Sequence, residues 1–328
     1  MAPSPTAHRT DWFHHARWGA SSHYLVAPEL SAADWNRHVD SFDVTGLARA
    51  LASAGVGYYW LTIGQNSGHY CSPNATYDGL VGRRPSLCSR RDLIADLAAA
   101  LASHGVRAMA YLPSGAPAQD AVAQAALEWE WGFEGGWPHG WEKRTGKRLG
   151  NFQRKWQAVI REWSVRWGTN IHGWWFDGCY FADEMYRHPD APNFASFAAA
   201  ARAGNPDAIV AFNPGIMLQT MGPEEDYTAG ETNEPDKIAV PPGRWLDGEQ
   251  VHIWSYLGRS WMQPPLRFTD EQAAACTRRN TATGAVMTWD IPLQEDGVPA
   301  LAVTHQLAAI GRALDTRQAL DRTQAEGE

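Results

Sequence analysis

One stretch limits the fold more than any other: Asn170-Ile-His-Gly-Trp-Trp-Phe-Asp-Gly-Cys179, an apolar strand that stops at one carboxylate and a glycine. Successive side chains of a strand face opposite sides. With Asp177 facing inward, Gly173 and Trp175 share its face, while Trp174 and Phe176 face the other way. Both faces are then apolar, which is what a central parallel strand covered by helices requires. The terminal acid has two readings: a catalytic group at the mouth of a barrel, or a cap on the next turn. The rest of the chain has to decide between them.

Taken in order, strand-like and helix-like segments alternate. Arg17 to Leu25 reads as a first strand after an irregular polar segment 1–16, and Ser31 to Val39 as a short helical turn. Asp43 or Thr45 caps a helix through Ala54, and Gly55 ends it before the strand Val56 to Ile63. Ser89-Arg-Arg-Asp92 reads as a capping box ahead of Leu93, Ile94, Leu97 and Leu101 at helical spacing, and Val106 to Leu112 is the third strand. Residues 113–149 read as a long loop with some helix near Ala118 to Trp129. Phe152, Trp156, Val159, Ile160, Trp163 and Trp167 form one helical stripe that delivers the strand ending at Asp177. Helix Asn193 to Ala203, strand Ala208 to Phe212, a short strand Asp226 to Glu231, strand Val251 to Tyr256, helix Thr269 to Asn280, strand Ala285 to Asp290 and a last helix from Pro299 complete the pattern. The repetition predicts an α/β fold: one TIM-like (β/α)8 barrel domain over 1–328, somewhat irregular. A doubly wound sheet is the alternative, and it lacks the Gly-rich first turn.

Composition narrows the function. At 328 residues and 44% hydrophobic content the chain can bury a large core. A net charge of −8 without a Lys/Arg stripe argues against a nucleic-acid partner. No apolar run reaches the ~18 residues of a membrane span, and the first residues lack signal-peptide character, so a cytoplasmic protein is expected unless a leader was trimmed. Cys71, Cys88, Cys179 and Cys276 form no C-x-x-C pair and read as free thiols. Seventeen Trp are more than packing needs, and indole faces suit sugar rings as well as cores.

In such a barrel the strand ends gather His23, Gln65, Asn66, His69, Asp177, Asn213, Glu231, Trp254 and Asp290 in one mouth. No H-E-x-x-H or G-x-S-x-G motif accompanies them, so neither a metal nor a Ser triad is expected, and no cofactor is. Cys179 reads as a buried thiol rather than a nucleophile. Two carboxylates on different strand ends are what glycosidic hydrolysis requires, one to attack and one to protonate the leaving oxygen. Asp177 and Glu231 meet this by position, with Glu234, Asp247 and Glu249 as competitors for the second role.

From Trp12 to Leu314 the order of segments resembles the α-L-fucosidases of glycoside hydrolase family 29. Arg17-Trp-Gly-Ala-Ser-Ser-His23 is similar to that family's first-strand motif with its sugar-binding His, and Tyr59-Trp-Leu-Thr-Ile-Gly-Gln-Asn-Ser-Gly68 to its second-strand motif. Ile171 to Gly178 is similar to the segment with the family's Asp nucleophile, which implies that role for Asp177. Asp226-Tyr-Thr-Ala-Gly-Glu231 resembles the stretch carrying the acid/base Glu. Gly258-Arg-Ser-Trp261 and the segment Gly284 to Gly297 resemble the last landmarks. Two departures stand out: Gln65-Asn66 replaces a His-His pair, and the chain leaves no room for the family's C-terminal β-sandwich. Carboxamides offer donors and acceptors without titrating, so a glycone related to L-fucose is expected rather than L-fucose itself.

The resemblance therefore implies a retaining exo-glycosidase with a carbohydrate substrate, Asp177 as nucleophile and Glu231 as acid/base. His23, Gln65, Asn66, His69 and Asn213 would hold hydroxyls, and Trp60, Trp175, Trp254 and Trp289 would supply ring platforms. An inactive carbohydrate-binding barrel and a metal-dependent hydrolase are the alternatives.

Overall fold

The computed structural model describes residues 8–135 and 143–325. The start of the irregular segment 1–16 and part of the long loop 113–149 lie outside these residues. Seven parallel strands form one curled sheet: β1 (Trp18–Ser22), β2 (Tyr58–Thr62), β3 (Arg107–Pro113), β4 (Ile171–Asp177), β5 (Ile209–Phe212), β6 (His252–Tyr256) and β7 (Val286–Asp290). Their order is β5-β4-β3-β2-β1-β7-β6. This is a half-barrel arrangement rather than the complete eight-stranded barrel expected from the sequence.

The place of an eighth strand, between β5 and β6, is taken by the segment 226–232. It makes only isolated bridges, Tyr227 to Gln250 and Glu231 to Trp254, both parallel. Asp226 ties the start of this segment to β5: its N–H donates to Val210 O, and its carboxylate accepts from Val210 N, each at 2.8 Å. Gly230 sits at φ 64°, and a Cβ there would lie 1.8 Å from His252 O. A side chain at that position would force the segment off β6, so the glycine is what lets Glu231 approach the sheet.

Strand alternation separates two apolar cores. Outward residues such as Trp174, Phe176, Leu61 and Trp289 pack under the helices. Inward residues, including Tyr58, Trp60, Met109, Tyr111, Trp175 and Trp254, fill the barrel interior. In β4 the register with β3 jumps between Ala108↔Ile171 and Ala110↔Trp174, so one extra residue is inserted at His172-Gly173. Ile171 and Trp174 therefore both face outward, and Trp175 and Asp177 are reset to the interior. A Cβ at Gly173 would meet Met109 Cε at 2.6 Å and Ile209 Cγ1 at 2.7 Å.

The helices follow the sequence with local exceptions. Helix Gly150–Trp167 buries its aromatic stripe, with Phe152, Trp156 and Trp163 fully enclosed. Thr269 and Gln272 form a true capping box at helix Asp270–Thr281. Ahead of helix Leu93–Ala102, however, the cap is Asp92 itself, whose side chain accepts from Ala95 N; Ser89 lies outside the helix. Asp11–Ala16, expected to be irregular, is a helix whose Phe13 closes the interior core from below against Tyr58, Tyr227 and His252. Thr10 and Asp11 are residue types that favour a helix start, but six residues are too few to show a helical period. Among the described residues no helix is long and apolar enough to cross a membrane. All four cysteines are buried and unpaired.

Candidate active site

Asp177 is the last residue of β4, opposite Pro113 of β3, and its carbonyl accepts from Ser114 N at 2.7 Å. Gly178 follows at φ 75° and turns the chain away, leaving the carboxylate at the sheet edge. Three side chains donate to it. Tyr111 OH reaches Oδ2 at 2.6 Å, Asn213 Nδ2 reaches Oδ1 at 2.9 Å, and Tyr180 OH lies 3.4 Å from Oδ1. Tyr111 accepts in turn from Gln65 Nε2 at 2.6 Å. Burial and the charge of Asp177 raise the Tyr111 pKa well above the usual phenol value, so the ring keeps its proton and acts as a donor.

Asn213 joins the two acids. The same Nδ2 that bonds Asp177 also donates to Glu231 Oε2 at 2.6 Å, while Asn213 Oδ1 accepts from Gly215 N at 3.0 Å and fixes the orientation of the amide. The bonded oxygens of Asp177 and Glu231 are thus no further apart than the two bonds laid end to end. That upper limit is shorter than the ~6.5–9.5 Å that leaves room for a water and admits the ~5–5.5 Å used when a carboxylate attacks the sugar directly.

Glu231 has its pKa pushed up to about 7. Burial is the main cause and the charge of Asp177 the second, opposed by the Asn213 hydrogen bond and by His23. Because Asn213 Nδ2 only donates, Oε2 must accept. The proton of the acid form therefore belongs on Oε1, the oxygen left for a leaving group.

A cavity of about 280 Å³ opens over this pair. His23, Gln65, Trp175, Trp254 and Trp261 line it together with the two carboxylates. His23 stacks on Trp254 with ring centroids 5.6 Å apart, and its Nδ1 meets Asp290 Oδ1 at 2.9 Å. Asp290 is fully buried and also accepts from Met262 N at 2.8 Å. Burial by itself would lower the pKa of His23; the charge and hydrogen bond of Asp290, with Asp177 and Glu231 behind it, outweigh burial and raise it. Trp254 is held by a 2.7 Å bond from Nε1 to Ser21 Oγ.

Several expected contacts fall elsewhere. Trp289 faces the helix layer, with Nε1 bonded to Thr277 Oγ1 at 2.9 Å, because its neighbour Asp290 takes the inward position. Trp60 is inward but lies a layer lower, buried under Trp254 beside Tyr58 and His252. His69 is buried beneath a loop, its Nε2 against Leu30 O at 2.9 Å and its ring against Trp35. Asn66 lines a neighbouring cavity rather than this one. Asn213 is present, but its amide is spent on the carboxylates. Glu234 is exposed and paired with Lys237, Asp247 sits on an exposed turn, and Glu249 is buried near Glu225 and Asp226.

Tyr111, Tyr180, Trp261 and Met262 were given no role from the sequence. Tyr111 had a signal, since it shares the inward parity of Met109 and Trp175 across the β4 bulge. Trp261 and Met262 follow a short strand, Gly258–Ser260, that folds over the mouth and has no sequence periodicity. Cys179 is buried, and burial raises its thiol pKa, which disfavours the thiolate. Among the described residues no group of three or more His, Cys, Asp or Glu is arranged to hold a metal ion.

No family model matches the chain, and no curated protein does. Solved structures do. The endo-fucoidan hydrolase MfFcnA4 of glycoside hydrolase family 107 superimposes with TM-score 0.67 at 18% identity, over 93% of this chain and 53% of that one. The chain thus spans about half of that relative, but 92% of the endo-fucoidan hydrolase P5AFcnA of the same family, at TM-score 0.66 and 18% identity over 92% of this chain. The α-L-fucosidase AlfC from Lactobacillus casei, in complex with α-L-fucose, matches with TM-score 0.65 and 16% identity over 95% of this chain and 99% of its own. At these identities the likeness shows the fold: the chain has the α/β fold of fucosidase-like glycoside hydrolases.

Proposed function

We propose that this chain is a retaining glycoside hydrolase acting on a terminal α-L-fucoside or a glycone of related stereochemistry. The observation that carries the reading is the single Asn213 amide bonded to both Asp177 and Glu231. The two half-buried acids sit in different environments: Asp177 takes three side-chain donors, whereas Glu231 takes one. Such asymmetry sorts a pair into nucleophile and acid.

Asp177 attacks the anomeric carbon and forms a glycosyl ester, while Glu231 passes its proton from Oε1 to the departing oxygen. Forming the ester removes the negative charge that raised Glu231, which then accepts a proton from the incoming water and releases the sugar with its original anomeric configuration. His23 and the free edge of Gln65 hold hydroxyls, and Trp175, Trp254 and Trp261 border the apolar ring face. The cavity, at about 280 Å³, is at the small end of ligand pockets and suits a single sugar ring. The one chain acts as a single catalytic unit.

The test is hydrolysis of a panel of aryl glycosides, with the product anomer read by NMR in the first minutes. Retention with one α-configured L-fucose-like glycone supports the reading. Inversion, or no turnover of any glycoside, overturns it.

A further inference from the structure

Beside the catalytic cavity lies a second one of about 410 Å³, and Asp177 and Gln65 border both. Trp129 lies across it. Its ring packs on the backbone of Gly115, where a Cβ would come within 3.0 Å of Nε1, and meets Trp131 edge-on with centroids 4.9 Å apart. Trp129 is half-buried, so it is held in place with part of its surface open.

Several polar groups around this cavity are unspent. Ser114, which lines it, is not among them: it is buried with the Cys179 thiol and the Tyr186 phenol as hydrogen-bonding neighbours. The side-chain amides of Asn66 and Gln119 and the Nε1 of Trp129 make no hydrogen bond among the described residues. Among the described residues no Arg or Lys lines the cavity; the charged ones that do are Asp177 and Glu130, the latter paired with Lys147 at 2.6 Å.

A flat indole bordered by neutral donors and acceptors is what recognises an uncharged sugar ring. Resting on the glycosidase reading, we propose that this cavity is a second sugar subsite for a neutral ring, so that the preferred substrate has at least two sugars. The same lining disfavours an anionic ring, because a sulfate or carboxylate would face the Asp177 charge, while Lys147 is already matched by Glu130. This also gives Asn66 a place: it serves the second ring, not the first.

The test compares Trp129→Ala with wild type on two substrates carrying the glycone that the aryl panel identifies. One is the glycosyl fluoride, whose leaving group has no ring. The other is a disaccharide ending in neutral N-acetylglucosamine. The substitution is expected to leave kcat/KM for the fluoride within about twofold and to lower that for the disaccharide at least tenfold, with Trp129→Phe recovering part of the loss. Equal loss on both substrates, or loss on neither, overturns the subsite. A 6-sulfated form of the disaccharide should be at least tenfold poorer in the wild type; equal or better turnover overturns its neutral character. If no glycoside is hydrolysed, the catalytic reading fails, and calorimetric titration of wild type and Trp129→Ala with N-acetyllactosamine decides the subsite alone. Binding lost in the variant upholds it, and unchanged or absent binding in the wild type refutes it.

Discussion

Asn213 donates from one nitrogen to Asp177 and Glu231, at 2.9 and 2.6 Å, so neither carboxylate can change its charge without the other sensing it. The bond to Glu231 favours the ionised form and holds its pKa below what burial alone would set. In the wild type kcat/KM should fall as pH rises through about 7, where Glu231 loses the proton it must donate. Asn213→Ala removes the opposing bond, so that limb should move to higher pH while activity drops roughly ten- to a hundredfold. A pH–rate profile on one aryl glycoside checks it, and a limb that stays put or moves down would exclude the bridging role.

Asp177→Asn should keep the fold and lose at least about a thousandfold in turnover, since no neighbour can form the ester in its place. A 2-fluoro glycoside should label Asp177, seen by peptide mass spectrometry. A label on another carboxylate would move the nucleophile.

For Glu231→Ala the expectation is a pattern across leaving groups. Poor leaving groups should turn over very slowly; a good phenolate should still glycosylate the enzyme, the ester should accumulate, and azide should rescue with retained configuration. If Glu234→Ala or Glu249→Ala behaves this way instead, Glu231 is not the acid.

The raised Glu231 also predicts a stability trade. Unfolded, the side chain titrates near 4.5; folded, it holds its proton up to about 7. Between those values the folded state binds more protons, so stability falls as pH rises across that window. Glu231→Gln, an uncharged near-isostere, should raise Tm by a few degrees at pH 8 and hardly change it at pH 4.5. An unchanged Tm at pH 8 would show that the site does not strain this acid.

His23 should follow the same sign in a higher pH window. Its pKa is raised in the folded protein, so the stability it contributes is fully present below the ordinary value of 6.5 and is lost as pH rises through the folded value. Asp290→Asn keeps an acceptor but removes the charge. The NMR titration of His23 should shift to lower pH in that variant, and no shift would remove Asp290 as the cause.

Much of this was legible in the sequence because period-2 and period-3.6 patterns report burial directly. All seven sheet strands were readable, as were helix Gly150–Trp167 and the cap at Thr269. What was not legible follows from relations the pattern does not encode. Trp289 was assigned to the mouth although Asp290, one residue on, already occupied the inward position. Trp60 has the right parity but the wrong depth, and depth depends on barrel tilt. Tyr111 meets Asp177 only because the extra residue at His172-Gly173 shifts β4 against β3. The segment 226–232 could be read as strand-like because its residues suit a strand; that beyond Asp226 it pairs along one edge only is a tertiary outcome.

That one-sided pairing separates the fates of the two acids when the molecule is perturbed. Asp177 ends a strand laddered to β3 and β5 on both sides, so freeing it requires breaking two ladders. Beyond Asp226, the backbone carrying Glu231 pairs only with the chain at Gln250 to Trp254, helped by one side-chain bond from Trp175 Nε1 to Ala229 O at 3.1 Å. Its amides should exchange with solvent sooner than those of β4, and on warming or in mild denaturant the protein should lose hydrolysis before it loses its global fold. With the proposed roles, Asp177 in that partly opened state would still take a sugar from an activated donor, with no competent acid/base to release it.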